Sequence, residues 1–136
     1  MVDVHTPAQR SHNMSRIKSK DTSPELRVRH ALFGLGYRYR VHVSALPGKP
    51  DIVFTRKMKV IHVNGCFWHS HACRYGCVTP KTNSIVWERK RAATLFRDER
   101  NNVALVRLGW SALTVWECEL RDMDSAMDRI VAFLEG

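Results

Sequence analysis

The sequence predicts an α/β domain in which a mixed β-sheet is flanked by helices. Helical and strand-like patterns follow one another in the order helix, three strands, loop, long helix, strand, helix. A chain of 136 residues, 44% of them hydrophobic, is long enough for one core, so residues 1–136 are expected to form a single domain. A loop of about twenty residues interrupts the pattern, and so long a loop in a small domain predicts that something pins it, such as a metal.

The first helix is predicted to begin with Ser23 as its N-cap and Pro24 at its first position, and to end at Gly34 and Gly36. Its expected core face consists of apolar side chains at helical spacing: Val28, Ala31, Leu32 and Leu35. Glu25 lies in the first turn, where the helix dipole favours a negative charge. On the residues alone, that is the preferred explanation for Glu25.

Three strands are predicted next. Residues 37–43 alternate apolar and basic side chains, which predicts a half-buried strand with Arg38, Arg40 and His42 on its outer face. Residues 51–54 and 58–63 predict a hairpin, with Asp51 at the entry of its first strand. An aspartate in this position can hold Mg²⁺ in a nuclease, but Pro-Asp is also an ordinary strand boundary.

The segment 62–73 combines three histidines, two cysteines and the adjacent aromatics Phe67 and Trp68. Imidazole and thiolate are the usual ligands of zinc. Cys66, Cys73 and Cys118, with one further group, would form a structural zinc site that ties this loop to the end of the fourth strand. The candidates for the fourth ligand are His71, Cys77 and His69, and the alternative is that all four cysteines are unligated thiols.

The second half predicts a long helix over 84–108, a strand over 110–116 and a last helix that starts near Asp124. At about 100° per residue, Trp87 lies opposite the apolar face of the long helix and is expected to point away from the core. The core-facing side chains are expected to be Ile85, Ala92, Phe96, Val103 and Val106 in the long helix, and Met127, Ile130, Val131 and Leu134 in the last.

The net charge of +9 lies entirely in the first part of the chain, because residues 1–80 carry 13 basic and 4 acidic side chains while 81–136 carry nine of each. A one-sided positive surface is typical of a protein that binds a phosphate backbone, although a generic basic protein is the alternative. No run approaches the roughly 18 apolar residues of a membrane span, and no signal peptide is recognised. A cytoplasmic protein without disulfides is therefore expected.

Several motifs together resemble the very short patch repair endonuclease family. They are Pro-Gly-Lys-Pro-Asp at 47–51, Asn-Gly-Cys-Phe-Trp-His at 64–69 with His71 and Cys73, Val-Trp-Glu-Cys at 115–118, Arg10-Ser11 with Asn13-Met14, and Asp21-Thr22 before Glu25. The resemblance runs from Asp3 to about Arg121. It implies a restriction-endonuclease-like fold with a structural zinc site, and a Mg²⁺-dependent nick in double-stranded DNA, 5′ to the thymine of a T:G mismatch that arises from deamination of 5-methylcytosine.

The resemblance also implies roles for individual residues. Asp51 and the main-chain carbonyl of Val63 would bind Mg²⁺, His69 would be the general base, and Glu25 would be an active-site carboxylate. The zinc ligands would be Cys66, His71, Cys73 and Cys118. Contacts to DNA would come from Phe67, Trp68 and Trp87 beside the mismatch, and from a clamping segment, 1–22, that includes Met14 and Arg16. A nucleoid-associated monomer is expected, with mismatch-repair proteins as candidate partners.

One departure from the family concerns residues 63 and 64, where reference members carry Thr-His and this chain carries Val63-Asn64. The change from threonine to Val63 keeps the main-chain carbonyl, so this metal ligand is retained. Asn64 can still hydrogen-bond near the scissile phosphate but carries no charge, so a lower rate or an altered pH profile is expected. His62 lies on the same strand face as Asn64 and is a candidate to compensate for the missing charge. The alternatives are a zinc-stabilised DNA-binding protein with weak or no nuclease activity, and a nuclease that cuts matched sites.

Overall fold

The computed structural model describes residues 22–66 and 84–136. In these ranges the chain forms a four-stranded mixed sheet and three α-helices, as predicted. The elements are α1 (Ser23–Gly34), β1 (Arg40–Val41), β2 (Ile52–Phe54), β3 (Lys59–Asn64), α2 (Ser84–Arg107), β4 (Ser111–Trp116), a 3₁₀ helix (Glu117–Arg121) and α3 (Met123–Glu135). No helix in this part of the chain is long and apolar enough to cross a membrane.

The sheet has the strand order β1-β2-β3-β4, with antiparallel pairing up to β3 and parallel pairing between β3 and β4. The hairpin of β2 and β3 is therefore confirmed, and α2 makes the crossover that a parallel pair requires. Strand β1 is shorter than predicted, with two residues, because His42 adopts a left-handed backbone (φ 51°) that ends the extended conformation.

Helix α1 begins one residue earlier than predicted. Thr22 is the N-cap, and its hydroxyl accepts a hydrogen bond from the backbone N–H of Glu25 at 3.4 Å. Ser23 and Pro24 then occupy the first turn, where the missing N–H of proline costs nothing.

Two apolar clusters cover the two faces of the sheet. The larger cluster joins β2, β3 and β4 to α1 and α3 through fully buried side chains that include Leu32, Ile61 and Ile130. The smaller cluster contains Val53, Val60 and Leu105 and joins the other face to α2. Because successive side chains of a strand point to opposite faces, this division places α1 and α3 on one side of the sheet and α2 on the other.

The predicted core face of α2 is wrong. Ile85, Phe96, Val103 and Val106 are 46–67% exposed, and Ala92 is exposed as well, whereas the buried residues of this helix are Arg91 and Leu105. The side that meets the sheet is largely polar because it lies over a polar cavity. Trp87 is opposite Ile85 and Phe96, as predicted, but it therefore lies on the sheet-facing side and is partly buried.

The last helix agrees better with its prediction. Asp122 caps α3 by accepting a hydrogen bond from the N–H of Ser125 at 3.1 Å. Ile130 and Leu134 are buried, whereas Met127 and Val131 are only partly buried, and Ala126 completes the buried stripe.

Candidate active site

A cavity of about 290 Å³ opens at the end of the sheet, between the loop that precedes β2, strand β3 and helix α2. Its lining is polar, and includes His42, Lys49, Asp51, His62, Val63, Asn64, Asp98, Asn101, Asn102 and Thr114. His62 and Asn64 both line it, as expected from their common strand face, and Thr114 is the register partner of His62 on β4.

Asp51 is held at the floor of this cavity by the neighbouring strand. The backbone N–H of Val63 donates a hydrogen bond of 2.8 Å to Asp51 Oδ2. The side chain is only 18% exposed. The hairpin register that pairs Ile52 with Ile61 produces this contact, since it places the residue before β2 beside the carboxyl half of β3.

Glu25 reaches the same place from the first turn of α1. It is 1% exposed, and its Oε2 lies 3.0 Å from Arg29 NH1 and 2.9 Å from His42 Nε2. A dipole interaction alone does not require burial, so the sequence-based explanation for Glu25 is incomplete. The burial and the two partners indicate a carboxylate built into a polar cluster.

His42 joins the two carboxylates. Its Nε2 faces Glu25 and its Nδ1 lies 3.9 Å from Asp51 Oδ1. One potential ligand atom from each of Glu25, His42 and Asp51 lies within 4.8 Å of the others, an arrangement that can hold a metal ion. Carboxylates and imidazole are suitable donors for a divalent cation.

Burial raises the pKa of Asp51 to about 6, and the negative charge of Glu25 adds to this rise. The Val63 N–H and His42 oppose it by stabilising the charged form. A nearby cation would stabilise the ionised form of Asp51 and offset its repulsion from the negative charge of Glu25.

The raised pKa predicts a specific pH dependence of stability. The native carboxyl binds protons more tightly than an unfolded one, whose ordinary pKa is 3.8, so ionisation costs the native state stability as the pH rises from about 4 to about 6. Without divalent cations, the Asp51→Asn variant should match the wild type near pH 4 and be more stable above pH 6, by up to about 3 kcal/mol.

Urea unfolding at a series of pH values measures this difference. Asp128→Asn, an exposed change on α3, is the matched control, and its stability relative to the wild type should not increase with pH. A wild type that is the more stable of the pair at pH 7 would contradict the assignment.

The structure brings some of the predicted site residues together. Asp51, Val63 and Asn64 line the cavity, and Glu25 lies beside them. Trp87 is in α2, where Lys90 Nζ lies 5.2 Å from its ring centroid. The remaining predicted site residues lie outside the described ranges: Met14, Arg16, Phe67, Trp68, His69, His71, Cys73 and the rival ligand Cys77.

Two of the predicted zinc ligands lie at one end of the parallel strand pair. Asn64 pairs with Trp116, and Cys66 and Cys118 each follow their strand residue by two positions. Cys66 is buried and Cys118 partly buried, and neither forms a disulfide. The register therefore brings both cysteines to the same end of the strand pair, the carboxyl end, as a zinc site shared between them requires.

Sequence reasoning missed several residues of the cavity. His42 is expected on the outer face of a strand, but its positive φ turns it into the site. Asp98, Asn101 and Asn102 recur at helical spacing in α2. That polar stripe is the available signal, although the apolar stripe on the opposite side of the helix is the stronger one.

Comparisons with known proteins identify the family of this chain. The family described as DNA mismatch endonuclease Vsr matches residues 2–75. The type II nicking enzyme V.XorIIP of Xanthomonas oryzae pv. oryzae is 42% identical over 135 residues, which are 99% of this chain and 98% of the relative. The DNA mismatch endonuclease Vsr of Escherichia coli is 42% identical over 128 residues, 94% of this chain and 81% of the relative.

A third relative, the type II nicking enzyme V.NmeAIP of Neisseria meningitidis, is 39% identical over 130 residues, which are 96% of this chain and 92% of the relative. The similarity thus extends over both halves of the chain, beyond the residues that the family match covers. The chain belongs to the Vsr family of DNA mismatch endonucleases.

Proposed function

We propose that this chain nicks one strand of double-stranded DNA 5′ to the thymine of a T:G mismatch that arises from deamination of 5-methylcytosine. The observation that carries the proposal is the partly buried Asp51 at the floor of a polar cavity, in a chain of the Vsr family. Relatives named as nicking enzymes support cleavage of a single strand.

The donor set of the cavity suits Mg²⁺. Asp51 provides a carboxylate whose ionisation a cation would favour, and the carbonyl of Val63 is the proposed second protein ligand, on the strand that already holds Asp51. When bound, the ion would neutralise the charge that develops at the scissile phosphate and lower the pKa of a water molecule. Val63 can take the position of a threonine because only its main chain is required.

His69 is the proposed general base. Its unperturbed pKa of about 6.5 allows a neutral imidazole at physiological pH, which can accept a proton from the attacking water. It follows Cys66 by three residues, and Cys66 is buried at the end of β3. Asn64 lines the cavity one strand residue beyond Val63, where its amide can donate a hydrogen bond to the phosphate.

A zinc ion bound by Cys66, His71, Cys73 and Cys118 is the proposed support of His69. The parallel register of β3 and β4 favours this arrangement, since it brings Cys66 and Cys118 to the carboxyl ends of two neighbouring strands. Thiolate and imidazole ligands close a tetrahedral site, so this zinc would have no open position for chemistry.

DNA recognition is proposed to combine charge with intercalation. The basic excess of residues 1–80 supports contact with phosphates, with the segment 1–22, including Met14 and Arg16, as a clamp. Phe67, Trp68 and Trp87 would enter the base stack, which a wobble pair opens at a lower cost than a Watson–Crick pair. We expect a monomer that acts at the bacterial nucleoid, with mismatch-repair proteins as candidate partners.

A nicking assay on pooled duplexes tests this function. Each duplex carries one T:G pair or one matched pair within randomised flanking bases, so that every flanking sequence is sampled. Nicking of T:G duplexes alone, in Mg²⁺, supports the proposal. Binding without nicking would indicate a zinc-stabilised DNA-binding protein, and equal nicking of matched duplexes would indicate a different nuclease. A magnesium-free arm without chelator accompanies the EDTA arm, because EDTA also removes zinc.

The Trp68→Ala variant should lose discrimination rather than overall function. Base–aromatic stacking contributes about 1–3 kcal/mol per base, so the preference for T:G over matched duplex is expected to fall by about tenfold or more. Competition binding with both duplexes measures the ratio, and the variant Trp110→Ala, at a site packed against the α2 side of the sheet, controls for a general loss of packing. An equal loss of affinity for both duplexes would contradict a role of Trp68 beside the mismatch.

A further inference from the structure

His42 occupies a backbone conformation that is uncommon for residues other than glycine. Its φ of 51° is left-handed, and its backbone N–H donates a hydrogen bond of 3.2 Å to the carbonyl of Asp51. Non-glycine residues in this region are unfavourable and persist where their surroundings hold them, often at functional sites. Here the conformation directs an imidazole, 11% exposed, between two carboxylates.

The two ring nitrogens face different carboxylates. Nε2 lies 2.9 Å from Glu25 Oε2, in contact with that carboxylate, whereas Nδ1 lies 3.9 Å from Asp51 Oδ1. A negatively charged oxygen beside Nε2 favours the tautomer that carries its hydrogen on Nε2, which leaves the lone pair on Nδ1. That lone pair is then on the side of the ring that faces Asp51.

This is the arrangement of a metal-binding histidine. Such histidines usually donate their second ring N–H to a carboxylate, which orients the ring and makes it a better ligand. Glu25 can serve as that carboxylate, because it is buried and its Oε2 is held 3.0 Å from Arg29 NH1. The 3.9 Å between Nδ1 and Oδ1 is short enough for one ion with bonds of about 2.1 Å to reach both atoms, because two ligand atoms of such an ion are at most about 4.2 Å apart.

We propose that His42 Nδ1 is a direct ligand of the divalent cation that Asp51 binds, and that Glu25 is a positioning carboxylate that orients His42. The inference rests on the proposed function for the assignment of Asp51 as a ligand. A nitrogen ligand favours transition-metal ions over Mg²⁺, which prefers oxygen. The chain should therefore bind Mn²⁺ more tightly than Mg²⁺, by a ratio that depends on His42.

Electron spin-echo modulation of bound Mn²⁺ tests this ligand directly. The probe is Mn²⁺ added in equimolar amount to the full, zinc-loaded chain, and the readout is the ¹⁴N coupling of a coordinated imidazole. The wild type should show the coupling. The His42→Asn variant should lose it, and asparagine is chosen because it tolerates a left-handed backbone. His30→Gln, an exposed change on α1, is the matched control and should keep it.

Calorimetric titration with Mn²⁺ and Mg²⁺ provides a second readout. His42→Asn should raise the Kd for Mn²⁺ by about tenfold or more and that for Mg²⁺ by less, so the preference for Mn²⁺ shrinks. Glu25→Gln should weaken Mn²⁺ binding by about tenfold and retain the ¹⁴N coupling, as expected of a residue that acts through His42.

A wild type without ¹⁴N coupling, or a His42→Asn variant that keeps it, would overturn the inference. Neither result depends on nicking. If the chain nicks T:G duplexes without ¹⁴N coupling, the proposed function stands and this inference fails. If the coupling is present and lost in His42→Asn while no duplex is nicked, the inference stands and the proposed function fails.

Discussion

Replacing Asp51 with asparagine should abolish nicking while leaving a protein that is at least as stable as the wild type. The carboxylate is the proposed anchor of the catalytic cation, and a metal ion contributes several kcal/mol to charge stabilisation in phosphodiester hydrolysis. At 1.36 kcal/mol for each factor of ten, a loss of about a thousandfold in single-turnover rate is expected.

The stability of this variant separates chemistry from folding. Asp51 is partly buried near Glu25, and its pKa of about 6 means that its negative charge destabilises the metal-free protein at neutral pH. Asparagine removes that charge and can still accept a hydrogen bond from the Val63 N–H. A nicking defect could not then be attributed to unfolding.

Single-turnover nicking of a T:G duplex in Mg²⁺ measures the loss, and thermal unfolding without divalent cations measures the stability. Asp128→Asn should retain the wild-type rate, since that side chain is exposed on α3. An Asp51→Asn protein that nicks at the wild-type rate would refute the role of Asp51 as metal anchor.

Removal of a zinc ligand should have the largest effect on stability. Cys118 lies two residues after the end of β4, and the proposed zinc would join it to Cys66, two residues after the end of β3, and to the loop between β3 and α2. Structural zinc contributes about 10 kcal/mol or more of apparent binding free energy in small zinc domains, and that energy is coupled to folding. Cys118→Ser should therefore lose stoichiometric zinc and unfold at a temperature lower by more than about 10 °C.

Zinc content by elemental analysis, together with thermal unfolding, tests this prediction. The pair Cys77→Ser and His71→Ala identifies the fourth ligand, because only the true ligand's replacement should release zinc. A Cys118→Ser protein that retains one zinc per chain and the wild-type melting temperature would exclude Cys118 from the site.

The sheet could be predicted because its sequence signals agree with its packing. The β2–β3 hairpin and β4 are runs of β-branched and apolar residues bounded by turn residues, and each buries side chains where the pattern places them. The predicted stripes of α1 and α3 face the larger core cluster through Val28 and Leu32 in α1 and through Ile130 and Leu134 in α3. Leu35, at the end of the α1 stripe, is 59% exposed, so its predicted place in the core is wrong.

Helix α2 could not be oriented from its pattern. Its apolar stripe is genuine but exposed, while Arg91, Asp98, Asn101 and Asn102 lie on the side of the sheet and the cavity. Periodicity identifies two faces, and burial in a helix that covers a polar site does not follow hydrophobicity.

The site was predictable only in part for a similar reason. Asp51 and Asn64 lie in recognisable motifs, and both line the cavity. His42 belongs to no recognised motif, and the alternating pattern of 37–43 predicts that its side chain lies on the outer face of the strand. That pattern contains no signal of a left-handed backbone at residue 42. The contact between Glu25 and His42 joins residues from different elements and depends on that backbone conformation.

The most direct test of the central claim is the position of the nick. A duplex with one T:G pair, selected from the randomised pool and labelled at either end of each strand, is incubated with the enzyme in Mg²⁺ under single-turnover conditions. A single nick in the thymine strand, immediately 5′ to the mismatched thymine, with the matched duplex left intact, is the predicted result. Cleavage of the guanine strand, or equal cleavage of the matched duplex, would contradict the account.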